Sequence, residues 1–255
     1  MKSVVRFFLF APMLMMACRG EAMAHPVASP CATGVSNMTR GLEAGYGPGT
    51  PFENAVSLAA LKGNVPDLTR QFRDARRHNS SGYVAQWLDA ALNFAVRANQ
   101  LKAAMYLLDQ GARVNERAIV MMTVDRYTKR KPESKTKYLS SAGTPLANAV
   151  QCVHVRIASL LLNRGADMYA FRTGEHPEFP GDVVYAAVMS NSEPLVDVFL
   201  KHGLDPCKVK GNRYTLAQMA AKAGLPPAMQ SKLTCKTTPS RPVSGTTGKG
   251  IRDNS

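Results

Sequence analysis

The segment TPLANAVQCVH, residues 144–154, carries the pattern that decides the fold. Thr144 followed by Pro145 predicts the start of a helix, because threonine caps free backbone N–H groups and proline is tolerated in the first helical turn. Two small or β-branched residues stand at the sixth and seventh positions, where a neighbouring helix can approach closely. The helix is expected to end at the tenth position.

Four other segments of the chain align with this one: NAVSLAALKGN from Asn54, AALNFAVRANQ from Ala90, DVVYAAVMSNS from Asp182 and TLAQMAAKAGL from Thr215. In these four segments the tenth position is Gly or Asn, and both residues tolerate the left-handed backbone that ends many helices. Val153, at the tenth position of residues 144–154, is the exception. Five aligned segments indicate an internal repeat.

A second apolar helix is predicted after each segment. After the three middle segments it has two adjacent large residues and then a glycine stop: Leu107, Leu108 and Gly111; Leu161, Leu162 and Gly165; Phe199, Leu200 and Gly203. The first segment lacks such a stop and the last has only a weak second helix, residues 226–233, so both are interpreted as caps. A single helix pair cannot bury its apolar face, and stacking supplies the core. The sequence therefore predicts an all-α solenoid of about five helix-turn-helix repeats.

These residues resemble the ankyrin repeat, whose pattern runs TPLHxAAxxGH and then VxxLLxxGAxxN. The residues that match it best are Thr144-Pro145-Leu146, Leu161-Leu162, Gly165-Ala166 and the stretch from Leu107 to Asn115. The resemblance covers about residues 50–233. It implies an ankyrin-repeat solenoid whose concave face, formed by hairpin tips and the ends of the first helices, binds another protein.

The remaining parts of the chain are assigned around this array. Residues 1–24 are predicted to be a signal peptide, because a basic start precedes a short apolar run and Ala22-Met23-Ala24 fits a cleavage site. Residues 25–49 form an N-terminal extension that is expected to be disordered apart from Cys31, and residues 234–255 form a disordered tail. The protein is therefore expected to be periplasmic or secreted. A lipoprotein acylated at Cys18 is the alternative.

An insertion at about residues 116–142 separates the second and third repeats. It carries a basic loop with six cations: Arg126, Lys129, Arg130, Lys131, Lys135 and Lys137. The whole chain has a formal net charge of +14, which favours an acidic protein surface, anionic lipid or lipopolysaccharide as partner. Export argues against nucleic acid. The loop is interpreted either as part of a binding face or as a solvated connection without further role.

Four cysteines remain after cleavage at Ala24: Cys31, Cys152, Cys207 and Cys235. An even count in an oxidising compartment permits two disulfides with three possible pairings. Cys207 and Cys235 are nearest in sequence and are the favoured pair. Cys152 lies in a predicted helix and is alternatively a free thiol.

Candidate catalytic and metal-binding motifs are missing from the sequence. The five histidines have no cysteine or carboxylate partners at metal-ligand spacing, and no nucleophile elbow is present. No metal, cofactor or enzyme activity is therefore expected, and a hydrolase with a cryptic site remains a distant alternative.

Partner binding is predicted on the concave face that the resemblance implies. Its residues are Lys62, Trp87, Asp89, Arg97, Gln151, Glu178, Phe179, Met189, Tyr214 and Lys222, with Ser141, Cys152, Ser190 and Ala223 beside them. Trp, Tyr and Arg dominate protein-binding hot spots. The alternative is that the aromatic residues pack between neighbouring hairpins.

The expected function is an exported scaffold that binds a partner protein through its concave face, with neutralisation of a secreted toxin as an immunity protein as the preferred role. An accessory factor for a periplasmic haem enzyme such as catalase is the alternative.

Overall fold

Every regular element that the structure describes is an α-helix, which confirms the all-α prediction. The structure is a computed structural model, and it describes residues 29–45, 47, 49–117, 143–170, 183–209 and 214–235. The helices in these residues are α1 (Ala32–Glu43), α2 (Pro51–Lys62), α3 (Val65–His78), α4 (Ser81–Arg97), α5 (Leu101–Asp109), α6 (Pro145–Gln151), α7 (Val155–Asn163), α8 (Val183–Met189), α9 (Glu193–Lys201), α10 (Leu216–Lys222) and α11 (Pro227–Lys232).

Threonine side chains begin three of the helices. Thr144 accepts a hydrogen bond from the Ala147 backbone N–H at the start of α6. Thr50 and Thr215 form capping boxes with Glu53 and Gln218 at the starts of α2 and α10. Each box satisfies backbone donors that a helix start leaves without partners.

The tenth position of all five aligned segments adopts the left-handed conformation. The φ angles are 69° at Gly63, 57° at Asn99, 56° at Val153, 52° at Asn191 and 80° at Gly224. The predicted helix stop is therefore present in every segment. Val153 is unusual because a β-branched side chain disfavours this backbone region, and it nevertheless takes the same conformation as Gly and Asn.

Helices α2 to α11 form five consecutive pairs that stack in chain order. The first helices of the pairs, α2, α4, α6, α8 and α10, contact one another in sequence and form the first row. The second helices α3, α5, α7 and α9 contact one another likewise and form the second row. Ala60, Ala91 and Ala95 are fully buried in the first row, where small side chains let the helices pack closely.

Large side chains fill the space between the two rows. Phe72, Leu107, Leu161 and Phe199 on the second row are completely buried, and so is Leu146 on the first. The core residues predicted from the sequence at 107, 161 and 199 are therefore core residues in the structure.

Two expectations about the ends and hairpins are wrong. Residues 32–43 of the N-terminal extension are helix α1 rather than disordered chain. Helix α4 begins at Ser81, where Ser80 caps it, so Trp87 and Asp89 lie inside a helix and not at a hairpin tip. Residues 118–142 of the insertion and 236–255 of the tail lie outside the described residues.

A candidate protein-binding surface

The last residue of each first-row helix is one of the predicted partner-binding residues. These residues are Lys62, Arg97, Gln151, Met189 and Lys222, which end α2, α4, α6, α8 and α10. Because neighbouring first-row helices pack against each other in chain order, the structure brings these five residues to one edge of the stack. We call this edge the first-row edge.

Helix α1 lies across the first-row edge and is fixed at both of its ends. Cys31, at the N-terminal cap of α1, forms a disulfide with Cys152, at the C-terminal cap of α6. At the other end, Glu43 forms an ion pair with Lys62, the last residue of α2, at an N–O distance of 2.5 Å. Cys152 is therefore disulfide-bonded, and the alternative that it is a free thiol is wrong.

The length of α1 matches the distance that it has to cover. A helix of 12 residues is about 18 Å long, and packed helices lie about 8–10 Å apart. The helix therefore reaches from the end of α6 to the end of α2, and α4 packs between those two helices. Lys62 and Gln151, at the ends of α2 and α6, remain exposed beside α1, whereas Arg97 at the end of α4 is partly buried.

Apolar residues on one face of α1 hold it against the stack. Val35, Met38 and Leu42 are partly buried against the core, and their spacing of three and four residues places them on the same helical face. Residues on the opposite face, such as Ser36 and Arg40, are exposed. This spacing after Cys31 was the signal for α1 that the sequence analysis missed.

A chain of polar contacts joins the second and third helix pairs beside α1. The buried Asn148 donates to Asn93 Oδ1 at 2.6 Å and accepts from Arg97 Nη1 at 3.3 Å. His154 Nε2 lies 3.3 Å from the Arg97 carbonyl oxygen and 3.5 Å from Ser29 Oγ. Burial lowers the pKa of Arg97 and the pKa of His154. Arg97 is therefore half-buried in a structural network rather than projecting freely.

Asp89 does not belong to an open binding surface. Its side chain is almost completely buried and accepts hydrogen bonds from the backbone N–H of Arg113 at 2.7 Å and from the Arg113 guanidinium at 2.9 and 2.6 Å. The carboxylate in turn raises the pKa of Arg113. Because a buried carboxylate needs such partners, Asp89 ties α4 to the chain that follows α5.

Trp87 packs between the first two helix pairs. Its ring lies edge-to-face with Phe52 of α2 at a centroid distance of 6.3 Å, and Phe52 also contacts Phe72 of α3 at 6.0 Å. The side chain is only partly exposed. Trp87 therefore packs against neighbouring helices, as the alternative to a role in partner binding stated.

The last two first-row helices leave three predicted residues exposed. Met189, at the end of α8, is 39% exposed, and Tyr214, just before α10, is 41% exposed. Lys222 at the end of α10 places its Nζ atom 3.4 Å from the centroid of the Tyr214 ring. Helices α8 and α10 are packed neighbours. Met189 and Lys222 therefore lie on the first-row edge, whereas Tyr214 precedes the start of α10 and is in contact with the Lys222 side chain.

Several predicted residues lie outside the described part of the chain. They are Glu178, Phe179 and Ser141, together with the basic-loop residues Arg126, Lys129, Arg130, Lys131, Lys135 and Lys137. Their part in binding stays a prediction.

The favoured cysteine pair is present at the far end of the array. The structure contains the Cys207–Cys235 disulfide, which joins the chain after α9 to the chain after α11. All four cysteines of the described residues are therefore disulfide-bonded.

No cluster of metal-ligating side chains occurs in the described residues, and no helix among them is long and apolar enough to cross a membrane. The chain matches no protein-family model, and it also matches none of the curated proteins with which it was compared.

Proposed function

We propose that this protein is an exported scaffold of the ankyrin-repeat type that binds a partner protein through the first-row edge. The observation that carries the proposal is the alignment of the five first-row helix ends on one edge, where Met189 and Lys222 are exposed and the exposed Tyr214 ring contacts the Lys222 side chain. Exposed aromatic and methionine side chains at a shared surface are typical of protein interfaces.

The stacked helix pairs and their left-handed stops support the ankyrin-type assignment. In such arrays each repeat contacts only its neighbours, and extended surfaces along the row serve as binding sites. The net charge of +14 favours a partner with an acidic surface. Neutralisation of a secreted toxin is the particular role that we propose, because a binding scaffold needs no catalytic group for it.

Export is the second part of the proposal. Two disulfides among the described residues suit an oxidising compartment, and the N-terminal sequence fits a signal peptide. N-terminal sequencing of the protein from its native cells should begin at His25. A cytosolic protein that retains Met1 would refute export, and a lipid on Cys18 would support the lipoprotein alternative.

The binding face can be tested by photo-cross-linking in the native cells. A photoreactive amino acid is placed at Gln151, Met189 or Lys222 on the first-row edge, and at Met105 on the second row as a matched exposed control. We expect a cross-linked partner from at least one first-row position and none from Met105. Cross-linking only from Met105 would refute the proposed face.

A further inference from the structure

We propose that the outer face of the second row binds a membrane surface that carries anionic phosphate headgroups. The face is formed by the exposed sides of α3, α5 and α7, which pack side by side. We call it the second-row face, and its exposed residues are Arg73, Arg77, Lys102, Met105 and Arg156. The proposal goes beyond the proposed function, because it concerns the side of the stack away from the first row and a lipid surface rather than a protein.

Helix α3 directs its arginines away from the core. Leu68, Phe72 and Ala75 of this helix are buried, whereas Arg73 and Arg77 are exposed. Residues four positions apart lie on the same side of a helix, so the two arginines share one face. The period of 3.6 residues per turn places that face opposite the buried residues.

Helices α5 and α7 follow the same arrangement. Leu107 and Leu161 are buried between the two rows, and the helical period places Lys102, Met105 and Arg156 on the opposite side, where all three are exposed. Because α5 packs between α3 and α7, the exposed sides of the three helices form one continuous surface.

Positive charge is concentrated in this part of the second row. Helices α3, α5 and α7 together contain six Arg and Lys residues against three Asp residues. Helix α9, the next helix of the row, contains one Lys against one Glu and one Asp. The surplus therefore lies over the first three second-row helices, where it attracts anionic partners.

The cations of the second-row face have no carboxylate partner within the described residues. Asp67 of α3 and Asp109 of α5 form ion pairs with Arg70 and Arg164, which are not among these cations. The third acid of the three helices, Asp74, forms no ion pair with the described part of the chain. Anionic groups from outside can therefore approach the face without displacing an internal carboxylate of the described residues.

The kinds of side chain on this face favour a lipid surface. A guanidinium binds phosphate oxygens through two parallel hydrogen bonds. Met105, which is 41% exposed, adds an apolar side chain and lines the same open groove between α5 and α7 as Arg156. Cations beside an exposed apolar group are typical of surfaces that dock on anionic bilayers.

A protein is the less suitable occupant of the second-row face. Large aromatic side chains contribute much of the binding energy at protein interfaces. Within the described residues the exposed aromatic side chain is Tyr214, which precedes α10 in the first row and lies outside this face.

Vesicle flotation tests the proposal on the chain purified from its native cells. Vesicles of phosphatidylcholine and phosphatidylglycerol supply anionic phosphates, and vesicles of phosphatidylcholine alone are the control. We expect binding to the anionic vesicles only. It should be lost at about 1 M salt, where charges interact over only about 3 Å. Equal binding to both kinds of vesicle, or binding that survives the salt, would overturn the proposal.

Three variants assign the binding to the second-row face. Arg73→Gln with Arg77→Gln should weaken binding to the anionic vesicles by about twentyfold, roughly fivefold for each lost cation. Arg73→Lys with Arg77→Lys keeps both charges and should retain binding. Lys201→Gln removes an exposed cation from α9 and should leave binding nearly unchanged.

The melting temperature of each variant is measured as well, because side chains that project into solvent should leave the fold intact. Unchanged binding by the Arg73→Gln, Arg77→Gln variant would overturn the proposal, since the charge would then act from the basic loop or from the chain as a whole. An equal loss of binding in Lys201→Gln would overturn it for the same reason.

A photoreactive amino acid at Met105 identifies the occupant in the native cells. We expect it to cross-link to lipid, and we expect the same group at Lys201 to give no lipid cross-link. Cross-linking of position 105 to a protein and not to lipid would overturn the proposal.

Discussion

Removing the Cys31–Cys152 disulfide is expected to lower the free energy of unfolding more than removing the Cys207–Cys235 disulfide. This bond joins residues 121 positions apart, whereas the Cys207–Cys235 bond joins residues 28 positions apart. A cross-link stabilises the folded state mainly by reducing the entropy of the unfolded chain, more so for longer loops. The chain-entropy relation gives about 5 kcal/mol for the longer loop and about 3.5 kcal/mol for the shorter one.

The loss should also have a definite location in the structure. Helix α1 has only 12 residues, and an isolated helix of this length is marginally stable in water. Without the bond to Cys152, the apolar contacts of Val35, Met38 and Leu42 and the Glu43–Lys62 ion pair must hold it alone. We therefore expect α1 to open before the rest of the array.

The measurement combines urea unfolding with amide hydrogen exchange. The Cys31→Ser, Cys152→Ser double variant is compared with the matched Cys207→Ser, Cys235→Ser double variant. The first should lose more free energy of unfolding and should lose amide protection throughout Ala32–Glu43, while α8 and α9 stay protected. A larger loss of unfolding free energy in the second variant, or unchanged amide protection of α1, would refute the conclusion that the disulfide holds α1 in place.

The remaining predictions concern the core, a helix stop and a buried histidine. Leu161→Ala should lower the free energy of unfolding by about 2–5 kcal/mol through the cavity it leaves, since Leu161 is fully buried. Trp87→Ala should also be destabilising, because the Trp87 ring packs on Phe52. An unchanged melting temperature of the Trp87→Ala variant would contradict that packing. Val153→Asn should raise the free energy of unfolding by about 1 kcal/mol, because it removes the strain of a β-branched side chain on a left-handed backbone. Asn99→Val should lower the free energy of unfolding by a similar amount. Urea titrations that give the opposite signs would contradict this conformational argument. Burial lowers the pKa of His154 from 6.5, so the unfolded chain binds a proton more readily and the free energy of unfolding should fall as the pH drops through about 6.5. His154→Asn should flatten this part of the pH profile, and an unchanged slope would assign the pH dependence to other groups.

Local signals in the sequence were sufficient for the repeated helix pairs and for the stops of their first helices, although they missed α1 and the early start of α4. The threonine caps and the Gly or Asn stops act on neighbouring backbone groups, so their effect depends on a few adjacent residues. The buried pairs around Leu107, Leu161 and Phe199 follow from the helical period for the same reason. The positive φ of Val153 is the exception, because valine by itself disfavours a left-handed backbone. At this position the packing of the stacked helix pairs outweighs the conformational preference of one side chain.

The tertiary structure decided which of the predicted surface residues are held in internal contacts. The partnership of Cys31 with Cys152 spans 121 residues and depends on how far each helix pair is translated and rotated relative to the previous one. The same geometry places Arg113 on Asp89 and Trp87 on Phe52. Composition and spacing indicate which residues are able to bind, but two side chains far apart in sequence meet only after the stack has formed. For that reason the sequence determined the repeated helix pairs and their order, and the packing determined that α1 is attached to the ends of α6 and α2.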